Sequence, residues 1–184
     1  MSEEALGIVE LTSIARGVVV ADAMAKRAPV RILQSHPISP GKYVIVLVGG
    51  VAEVEEAMAA GTAVAGATVV DRRFLPQAHT QLAPLIAGKA AGGGSSDAVA
   101  IVETFSVTAA VLAADAAAKA AEVVLLDMRL GQGLGGKGFF TMTGDLESIE
   151  AAVAAAGSAS DGGLLVGVEI IARPHEDLRQ KLMW

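Results

Sequence analysis

The sequence repeats itself at a fixed interval, and this repeat limits the folds that the chain can adopt. The segment ALGIVE at residues 5–10 returns as AVAIVE at 98–103, and ADAMAK at 21–26 returns as ADAAAK at 114–119. Both pairs of segments are 93 residues apart (98 − 5 and 114 − 21). Two copies are too few for a solenoid, which needs a longer stack of repeats. The chain is therefore predicted to contain two homologous domains, arranged like a fused dimer.

The first domain is predicted to cover residues 1–88 and the second residues 97–184. Between them, residues 89–96 are rich in Gly and Ser, a composition that is typical of a flexible linker. Each domain then has about 90 residues, which is enough for one small hydrophobic core.

Each copy shows the pattern strand, helix, strand, strand, helix, strand and short helix. In copy one, Pro29 ends the first helix and the next strand is expected at 30–34. Asp145 is suited to cap a helix in copy two, and Pro76 and Pro174 stand where a final helix is expected to begin. This order predicts an α/β fold of the α+β, ferredoxin-like kind, with a four-stranded antiparallel sheet and helices on one face. The other sheet face then needs a partner.

Composition narrows the possible functions. Hydrophobic residues make up 53% of the chain but aromatic residues only 3%, so the apolar excess consists mainly of small and aliphatic side chains. A net charge of −6 argues against nucleic-acid binding, and no apolar run reaches the about 20 residues of a membrane span. The start Met-Ser-Glu-Glu is unlike a secretory signal, so a cytoplasmic location is expected. Much of the apolar surface is expected to be buried against other copies of the chain.

The glycine-rich run GQGLGGKG at residues 131–138 is the most suggestive motif. It fits the pattern G-x-G-x-x-G and comes close to the phosphate-binding loop. However, position 138 is Gly rather than Ser or Thr, and a strand-like FFTMT follows where a helix N-terminus is required. The matched loop of copy one, residues 35–42, fits neither pattern. A tight structural loop is the favoured interpretation, and nucleotide binding is the minor alternative.

Other polar residues recur in both copies, which favours structural roles. His79 and His175 are equivalent, His36 stands alone, and no pair of histidines has the spacing of a helical metal site. Glu10 and Glu103 also match, on predicted strands. Because catalytic groups usually break an internal symmetry whereas structural groups keep it, we interpret the two glutamates as structural.

Several of these motifs occur together in one known family. The run ALGIVELTS, then ADAMAK, then a loop ending Pro-Gly-Lys at 40–42, then Arg-Pro-His at 173–175 resembles the bacterial microcompartment shell domain. The resemblance covers nearly the whole chain. The fused repeat is similar to the tandem-domain, trimeric type of this family, which includes tandem members of propanediol-utilisation shells.

The resemblance implies a structural shell protein and not an enzyme. In this family, tandem chains form trimers that look like hexamers, because each chain supplies two of the six wedges. These discs tile edge to edge into a shell that encloses enzymes in the cytoplasm, and an axial pore passes small metabolites. The implied partners are other copies of the chain, hexameric and pentameric shell proteins, and enclosed enzymes, with no nucleic acid and no membrane.

The resemblance also implies site residues. The loop between the second and third strands lines the pore in this family, which corresponds to 36–41 and 130–136 in this chain. The pore candidates are Ile38, Ser39, Pro40 and Gly41 of copy one and Leu134 and Gly135 of copy two. The candidates for contacts between trimers at the disc edge are Lys26, Lys119 and Arg173. Copy one has Gln77 in place of Arg173, so the two kinds of edge are expected to differ.

Ser39 marks a departure from the family. Propanediol-type tandem members carry a Cys at this place, and three such Cys hold an iron–sulfur cluster on the axis. Since Cys thiolates hold such clusters and the chain has no Cys, we expect no cofactor, no metal and an open or water-filled pore. Two alternatives belong to other classes: a metal-bearing or electron-conducting pore protein, and a ferredoxin-like sensor with residues 131–138 as its ligand loop.

Overall fold

The computed structural model of the protein describes residues 4–89 and 97–179. The chain divides into two compact units between Ala83 and Pro84, and each unit contains one copy of the repeat. Residues 90–96, which form most of the predicted linker, lie outside the described residues. The linker and the domain limits at 88 and 97 therefore stay a prediction.

Both units follow the predicted order of elements. The strands of copy one are β1 (Ala5–Leu11), β2 (Arg31–Ile38), β3 (Lys42–Gly49) and β4 (Val69–Leu75). Its helices are α1 (Ile14–Arg27), α2 (Val51–Ala65) and the short α3 (Leu82–Ile86). The strands of copy two are β5 (Ala98–Thr104), β6 (Val124–Leu130), β7 (Gly138–Gly144) and β8 (Leu165–Ala172). Its helices are α4 (Val107–Ala120), α5 (Leu146–Ala159) and α6 (Glu176–Arg179).

Each unit contains a four-stranded sheet with neighbouring strands antiparallel. The strand orders are β2-β3-β1-β4 and β6-β7-β5-β8, so the second copy repeats the topology of the first. The registers also correspond, since Glu10 lies opposite Val44 in copy one and Glu103 lies opposite Phe139 in copy two. The predicted ferredoxin-like α+β fold is confirmed.

The central strand β1 is buried on both faces of its sheet. Successive strand residues point to opposite faces, so Val9 and Leu11 pack with Met24 of α1 and Met58 of α2. The alternate residues, among them Ile8, point to the other face and are also buried. Burial of one such aliphatic side chain contributes about 1.5–3 kcal/mol, so both faces of β1 stabilise copy one.

The helices begin and end at residues whose chemistry explains the boundary. The Ser13 hydroxyl accepts from the Arg16 N–H at 3.2 Å, and the Asp145 carboxylate accepts from the Ser148 N–H at 2.8 Å. Both are N-caps, as the sequence predicts for Asp145. Pro29 follows the end of α1, also as predicted. Among the described residues, no helix is both long and apolar enough to cross a membrane.

Strand β2 is longer than the sequence predicts. It was expected at 30–34 but continues to Ile38, with His36 opposite Val44 and Pro37 opposite Tyr43. Proline has no backbone N–H to donate to a neighbouring strand. It is tolerated at Pro37 because β2 is an edge strand and has a strand neighbour on one side only within the described residues. Residues 36–38 are therefore strand and not loop.

The final helices do not begin at the prolines. In copy one, α3 begins at Leu82 rather than Pro76, because the Leu82 N–H donates to His79 O at 3.0 Å and the preceding N–H to the His79 ring. His175 accepts two amide N–H groups in the same way, so Pro174 precedes α6 instead of starting it. The two equivalent histidines cap the final helices, a structural role in agreement with their symmetry.

Candidate functional site

The turn between β2 and β3 consists of Ser39, Pro40 and Gly41, the segment proposed to line the pore. Gly41 has φ +90°, a conformation that side chains disfavour, and its N–H donates to Ile38 O at 3.0 Å. The Ser39–Pro40 peptide bond is cis. Ile38 is buried, Ser39 is half-buried, and Pro40 and Gly41 are exposed. The turn offers a hydroxyl and backbone groups to its surroundings, but not the Ile38 side chain.

Polar contacts hold strand β2 behind this turn. The Ser35 hydroxyl lies 3.0 Å from the Tyr43 hydroxyl on β3. The His36 ring lies 3.1 Å from Pro37 O through Nδ1 and 3.0 Å from the Gln34 side-chain oxygen through Nε2. Both ring nitrogens are thus engaged within the strand. In the described part of the chain, no group of three or more His, Asp or Glu residues has the geometry of a metal site.

The matched loop of copy two is built from glycines. Lys137 closes the loop, since its N–H donates to Leu134 O at 3.1 Å. Leu134 is half-buried and Gly135 is exposed. Strand β7 begins immediately afterwards, at Gly138, so no helix N-terminus faces the loop as phosphate binding requires. The structure agrees with a tight structural loop, in which four glycines have φ between +63° and +89°: Gly131, Gly133, Gly135 and Gly136.

A lysine next to each of these loops forms an ion pair with the matched strand glutamate. Glu10 pairs with Lys42, and Glu103 pairs with Lys137 at 3.0 Å. The Glu10 side chain is 1% exposed, whereas that of Glu103 is 40% exposed. Removal of one partner from a buried pair costs about 3–5 kcal/mol, so Lys42 is required once Glu10 is buried. The two pairs agree with the structural interpretation of both glutamates.

The three proposed edge residues are exposed. The Lys26 ammonium lies 2.6 Å from Asp22 and that of Lys119 lies 2.5 Å from Asp115, one helical turn earlier in each case. Arg173 has φ +51°, which is uncommon for a residue with a side chain. Its N–H donates to a backbone oxygen of the first residue before β5, at 2.6 Å, and this bond holds the conformation.

The outer faces of the matched helices α1 and α4 differ in burial. Ile14, Val18 and Val19 of α1 are exposed, Val18 by 56%. The residues of α4 that match the first two, Val107 and Val111, are fully buried. The apolar face of the helix is therefore open in copy one and closed in copy two.

The sheet faces that point away from the helices show the reverse difference. Ile8 and Val44 of copy one are fully buried. The matched residues of copy two, Ile101 and Phe139, are partly exposed. Each copy thus has one open apolar face, the helix face in copy one and the sheet face in copy two.

Known proteins place these features in one family. The family model of the BMC domain matches residues 5–78 and again residues 98–174, which together make up most of the chain. The chain belongs to the BMC-domain family. This BMC protein is 42% identical, over 181 residues, to the bacterial microcompartment shell protein PduT of Citrobacter freundii, with 98% of each chain covered.

Solved structures and single-domain relatives support the same assignment. A microcompartment protein from Desulfitobacterium hafniense superposes with a TM-score of 0.92 at 42% identity, covering 97% of this chain and 99% of the other. Shell protein PduA of Salmonella typhimurium is 38% identical over 88 residues, 90% of its length and 47% of this chain. One PduA therefore corresponds to one copy. The fused permuted shell protein MSM0275, with a TM-score of 0.64 at 22% identity, supports the fold alone. The BMC protein described here is a tandem-domain microcompartment shell protein.

Sequence reasoning missed the residues of the open faces. Val18 and Val19 were one available signal, because with Val20 they make the apolar side of α1 wider than the face that the core of copy one buries. Apolar side chains beyond that buried face are expected to need a further partner. Nothing in the segment that contains Ile101 and Phe139 distinguishes an open sheet face from a closed one.

Proposed function

We propose that three chains of this shell protein close into a ring of pseudo-sixfold shape, and that these rings tile into the shell. The observation that carries the proposal is that the open faces complement each other. Helix α1 of copy one exposes Ile14, Val18 and Val19, and the sheet of copy two exposes Ile101 and Phe139.

A head-to-tail contact covers both open faces at once. If α1 of each chain packs against the copy-two sheet of the next chain, every open face acquires a partner and the ring has no free end. The apolar side chains that it covers favour closure by about 25 cal/mol per Å² of buried surface. Three chains supply the six wedges that the family resemblance implies.

The Glu103–Lys137 pair lies on the sheet face that this contact covers. The matched Glu10–Lys42 pair is already buried, which shows that the fold accepts a paired glutamate at this position away from water. Because Lys137 lies 3.0 Å from Glu103, the pair enters the contact with its charges compensated.

Lys26, Lys119 and Arg173 are the residues that we assign to contacts between rings. All three are exposed, and both lysines lie in the last turn of their helices. The lysines extend from corresponding helix ends, so they serve chemically similar edges of the two copies. Arg173 has no counterpart in copy one, where Gln77 stands, and it distinguishes one edge from the other.

The turns between the second and third strands of both copies line an axial pore in this proposal. Ser39 contributes three hydroxyls around the axis, together with backbone groups of Ile38, Pro40 and Gly41, and copy two contributes Leu134 and Gly135. Such a lining suits small polar metabolites. In this proposal the chain forms part of the shell in the cytoplasm and lets small metabolites pass, and it does not catalyse a reaction. Its partners are other shell proteins and the enclosed enzymes.

Native mass spectrometry and negative-stain microscopy of the purified chain test the ring. We expect a mass of three chains, discs with six lobes and, at higher protein concentration, flat sheets. A stable monomer that forms no sheets contradicts the proposal.

The position of Ser39 on the axis has its own test. The chain without Cys does not fit an iron–sulfur cluster, so Ser39→Cys is expected to create the missing thiolates. After anaerobic addition of iron and sulfide, this variant should turn brown, while Ser158→Cys, at an exposed position on α5, stays colourless. A colourless Ser39→Cys ring contradicts the axial position.

A further inference from the structure

Helix α2 and strand β4 of copy one border a shallow groove of about 340 Å³. Strand β4 is an edge strand of its sheet, and α2 packs on β1 and β4, whereas α1 packs mainly on β2 and β3. Within copy one, the groove is thus on the β4 side of α2, away from α1. Its lining consists of Glu55, Met58, Ala59, Arg72, Arg73 and Phe74.

The side of α2 that faces the groove is one stripe of the helix. Glu55, Met58, Ala59 and Thr62 have the spacing i, i+3, i+4 and i+7, which places side chains on the same side of an α-helix. Since each residue advances the helix by 1.5 Å, Glu55 and Thr62 are about 10 Å apart along its axis. Glu55 is at one end of this stripe and Thr62 is at the other.

The two ends of the groove carry opposite charges. The Arg72 guanidinium donates to the Thr62 hydroxyl at 3.2 Å, which holds the positive charge at the Thr62 end. Glu55 is exposed at the opposite end. Neither Glu55 nor Arg72 belongs to an ion pair in the described part of the chain. A guanidinium has five N–H donors, so the bond to Thr62 leaves donors for a ligand.

Apolar side chains lie between the two charges. Arg72 and Phe74 are two residues apart on β4, so their side chains point to the same sheet face, the one that α2 covers. The register agrees, because Phe74 lies opposite Gly7, where a Cβ would be 2.6 Å from the Met58 sulfur. Phe74 is 36% exposed. Arg73 points to the other sheet face and its guanidinium is already in an ion pair, so it is not one of the ligand groups.

We propose that this groove binds a linear zwitterionic small molecule, with its carboxylate on Arg72 and Thr62 and its ammonium on Glu55. A guanidinium binds a carboxylate through two parallel hydrogen bonds, and hydrogen bonds between charged groups are the strong ones. The aliphatic chain of the ligand then covers Met58 and Phe74. A chain of about five methylene groups, with a hydrogen bond at each end, has the length that a groove of about 10 Å requires.

A zwitterion explains the groove better than a simple anion does. An anion would use Arg72 but would leave Glu55 without a partner and would bring a second negative charge towards it. A simple cation has the opposite defect, because it would use Glu55 and leave Arg72 without a partner. A ligand with both charges compensates both ends.

Copy two lacks the cationic end of the groove. Val168 stands at the position of Arg72, since both lie opposite matched residues of the central strand. Gly157 stands where copy one has Thr62, while Glu150 keeps the acidic end. We therefore expect one site in each chain, in copy one.

Ligand-observed NMR of the purified protein with ε-aminohexanoate tests the site. We expect saturable binding with a dissociation constant below about 10 mM. Hexanoate, which lacks the ammonium, and hexylamine, which lacks the carboxylate, should each bind about tenfold more weakly or worse, because one end of the groove then stays uncompensated.

Two variants assign each charge of the ligand to its residue. In Glu55→Gln the advantage of ε-aminohexanoate over hexanoate should disappear, while the affinity for hexanoate should not fall. In Arg72→Met the advantage over hexylamine should disappear in the same way. Glu150→Gln makes the first change at the matched position of copy two, and this control should bind like wild type. All three positions are exposed, so circular dichroism should be unchanged.

The proposal is overturned if wild type does not bind ε-aminohexanoate below this concentration, or if hexanoate binds equally well. It is also overturned if the preference for ε-aminohexanoate survives in Glu55→Gln, or if Glu150→Gln weakens binding as much as Glu55→Gln does. None of these measurements depends on ring closure or tiling, so a negative result here leaves the proposed shell function as it stands.

Discussion

The two copies of the repeat share a topology but pack their first helix on the sheet in different ways. In copy one, α1 presents Gly17 to the ring of Tyr43, and a Cβ on Gly17 would lie 2.3 Å from that ring. In copy two the small residue is on the strand, since a Cβ on Gly138 would lie 2.7 Å from the Ala110 Cβ. Copy two thus has two small residues where copy one packs a glycine against a tyrosine ring. The fold requires a filled contact here and does not require any particular residue.

The copies also differ in the apolar face that each leaves open. A ring of identical single domains must use the same faces on every subunit. A fused pair escapes this requirement, because each copy is encoded separately and can carry its own residues at matched positions. One example is Arg73, which lies opposite Ile8, where copy two has Glu169 opposite the matched Ile101. Another is Ser39, where copy two has a glycine-rich loop.

Val18→Asp tests the open face of α1 and should have the largest effect. We expect it to abolish the ring and leave a folded monomer, because a carboxylate in an apolar contact loses its hydration without compensation. Native mass and circular dichroism provide the two measurements. A ring that survives this change contradicts the role of α1 in closure.

The matched control is Val111→Asp on α4. Val111 is already fully buried, so this change should destabilise the folded chain, by about 3 kcal/mol or more, as measured by urea unfolding. The two variants therefore separate assembly from folding at one position of the repeat.

Gly17→Ala tests the close contact between α1 and the Tyr43 ring. The added Cβ must displace the Tyr43 ring, so the free energy of unfolding should fall by about 1–3 kcal/mol. Ala110→Gly, at the matched position, creates no clash and should cost only about 1 kcal/mol, the helix penalty of glycine. Chemical denaturation measures both. Equal losses in the two variants would show that the contact between Gly17 and Tyr43 is no tighter than its counterpart in copy two.

The sequence predicts the shared features of the copies better than their differences. The repeat, Pro29 and the Asp145 cap predict the element order correctly, because these are local signals. The end of β2 was wrong, since Pro37 indicates a loop unless the strand is known to be an edge strand. Burial was the larger gap, because Val18 and Val111 look alike in sequence and only tertiary packing separates them.

The candidate site shows the same limit. The resemblance to the family, and not composition or spacing, is the basis for proposing the turn at Ser39 as pore lining and Lys26 and Lys119 as edge residues. Only the structure shows that the Ile38 side chain is buried and that Arg173 has a left-handed backbone conformation. These properties depend on hydrogen bonds between residues distant in sequence, such as the bond from the Arg173 N–H to the residue before β5.

Lys26→Ala and Lys119→Ala test whether the two edges contribute equally to tiling. The exposed Lys26–Asp22 pair is worth at most about 1 kcal/mol, so Lys26→Ala should not affect folding or the ring mass. Asp115, the partner of Lys119, is buried, so Lys119→Ala should also lower the free energy of unfolding while the ring mass stays unchanged. We expect both variants to form fewer sheets by negative-stain microscopy. The effect should be larger for Lys26, whose side chain is 74% exposed against 45% for Lys119. Sheets as extensive as those of wild type would remove both lysines from the edge contact.

The helix caps offer the smallest and most specific difference between the copies. Hydrogen bonds from the Ser148 backbone and side chain lower the pKa of Asp145, while copy one has Gly50 at the matched position with no side-chain cap. A lowered pKa in the folded state means that the carboxylate stabilises the fold above its unfolded pKa of about 3.9, and that this stabilisation is lost as pH falls through the folded value. Asp145→Gly, which copies the cap of copy one, should therefore lower the urea midpoint at neutral pH and lower it less in strong acid. Asp145→Asn keeps a side-chain cap without the charge, so its difference from wild type isolates the contribution of the carboxylate charge. If the difference in urea midpoint between this variant and wild type does not change with pH, the contribution of the charge is contradicted.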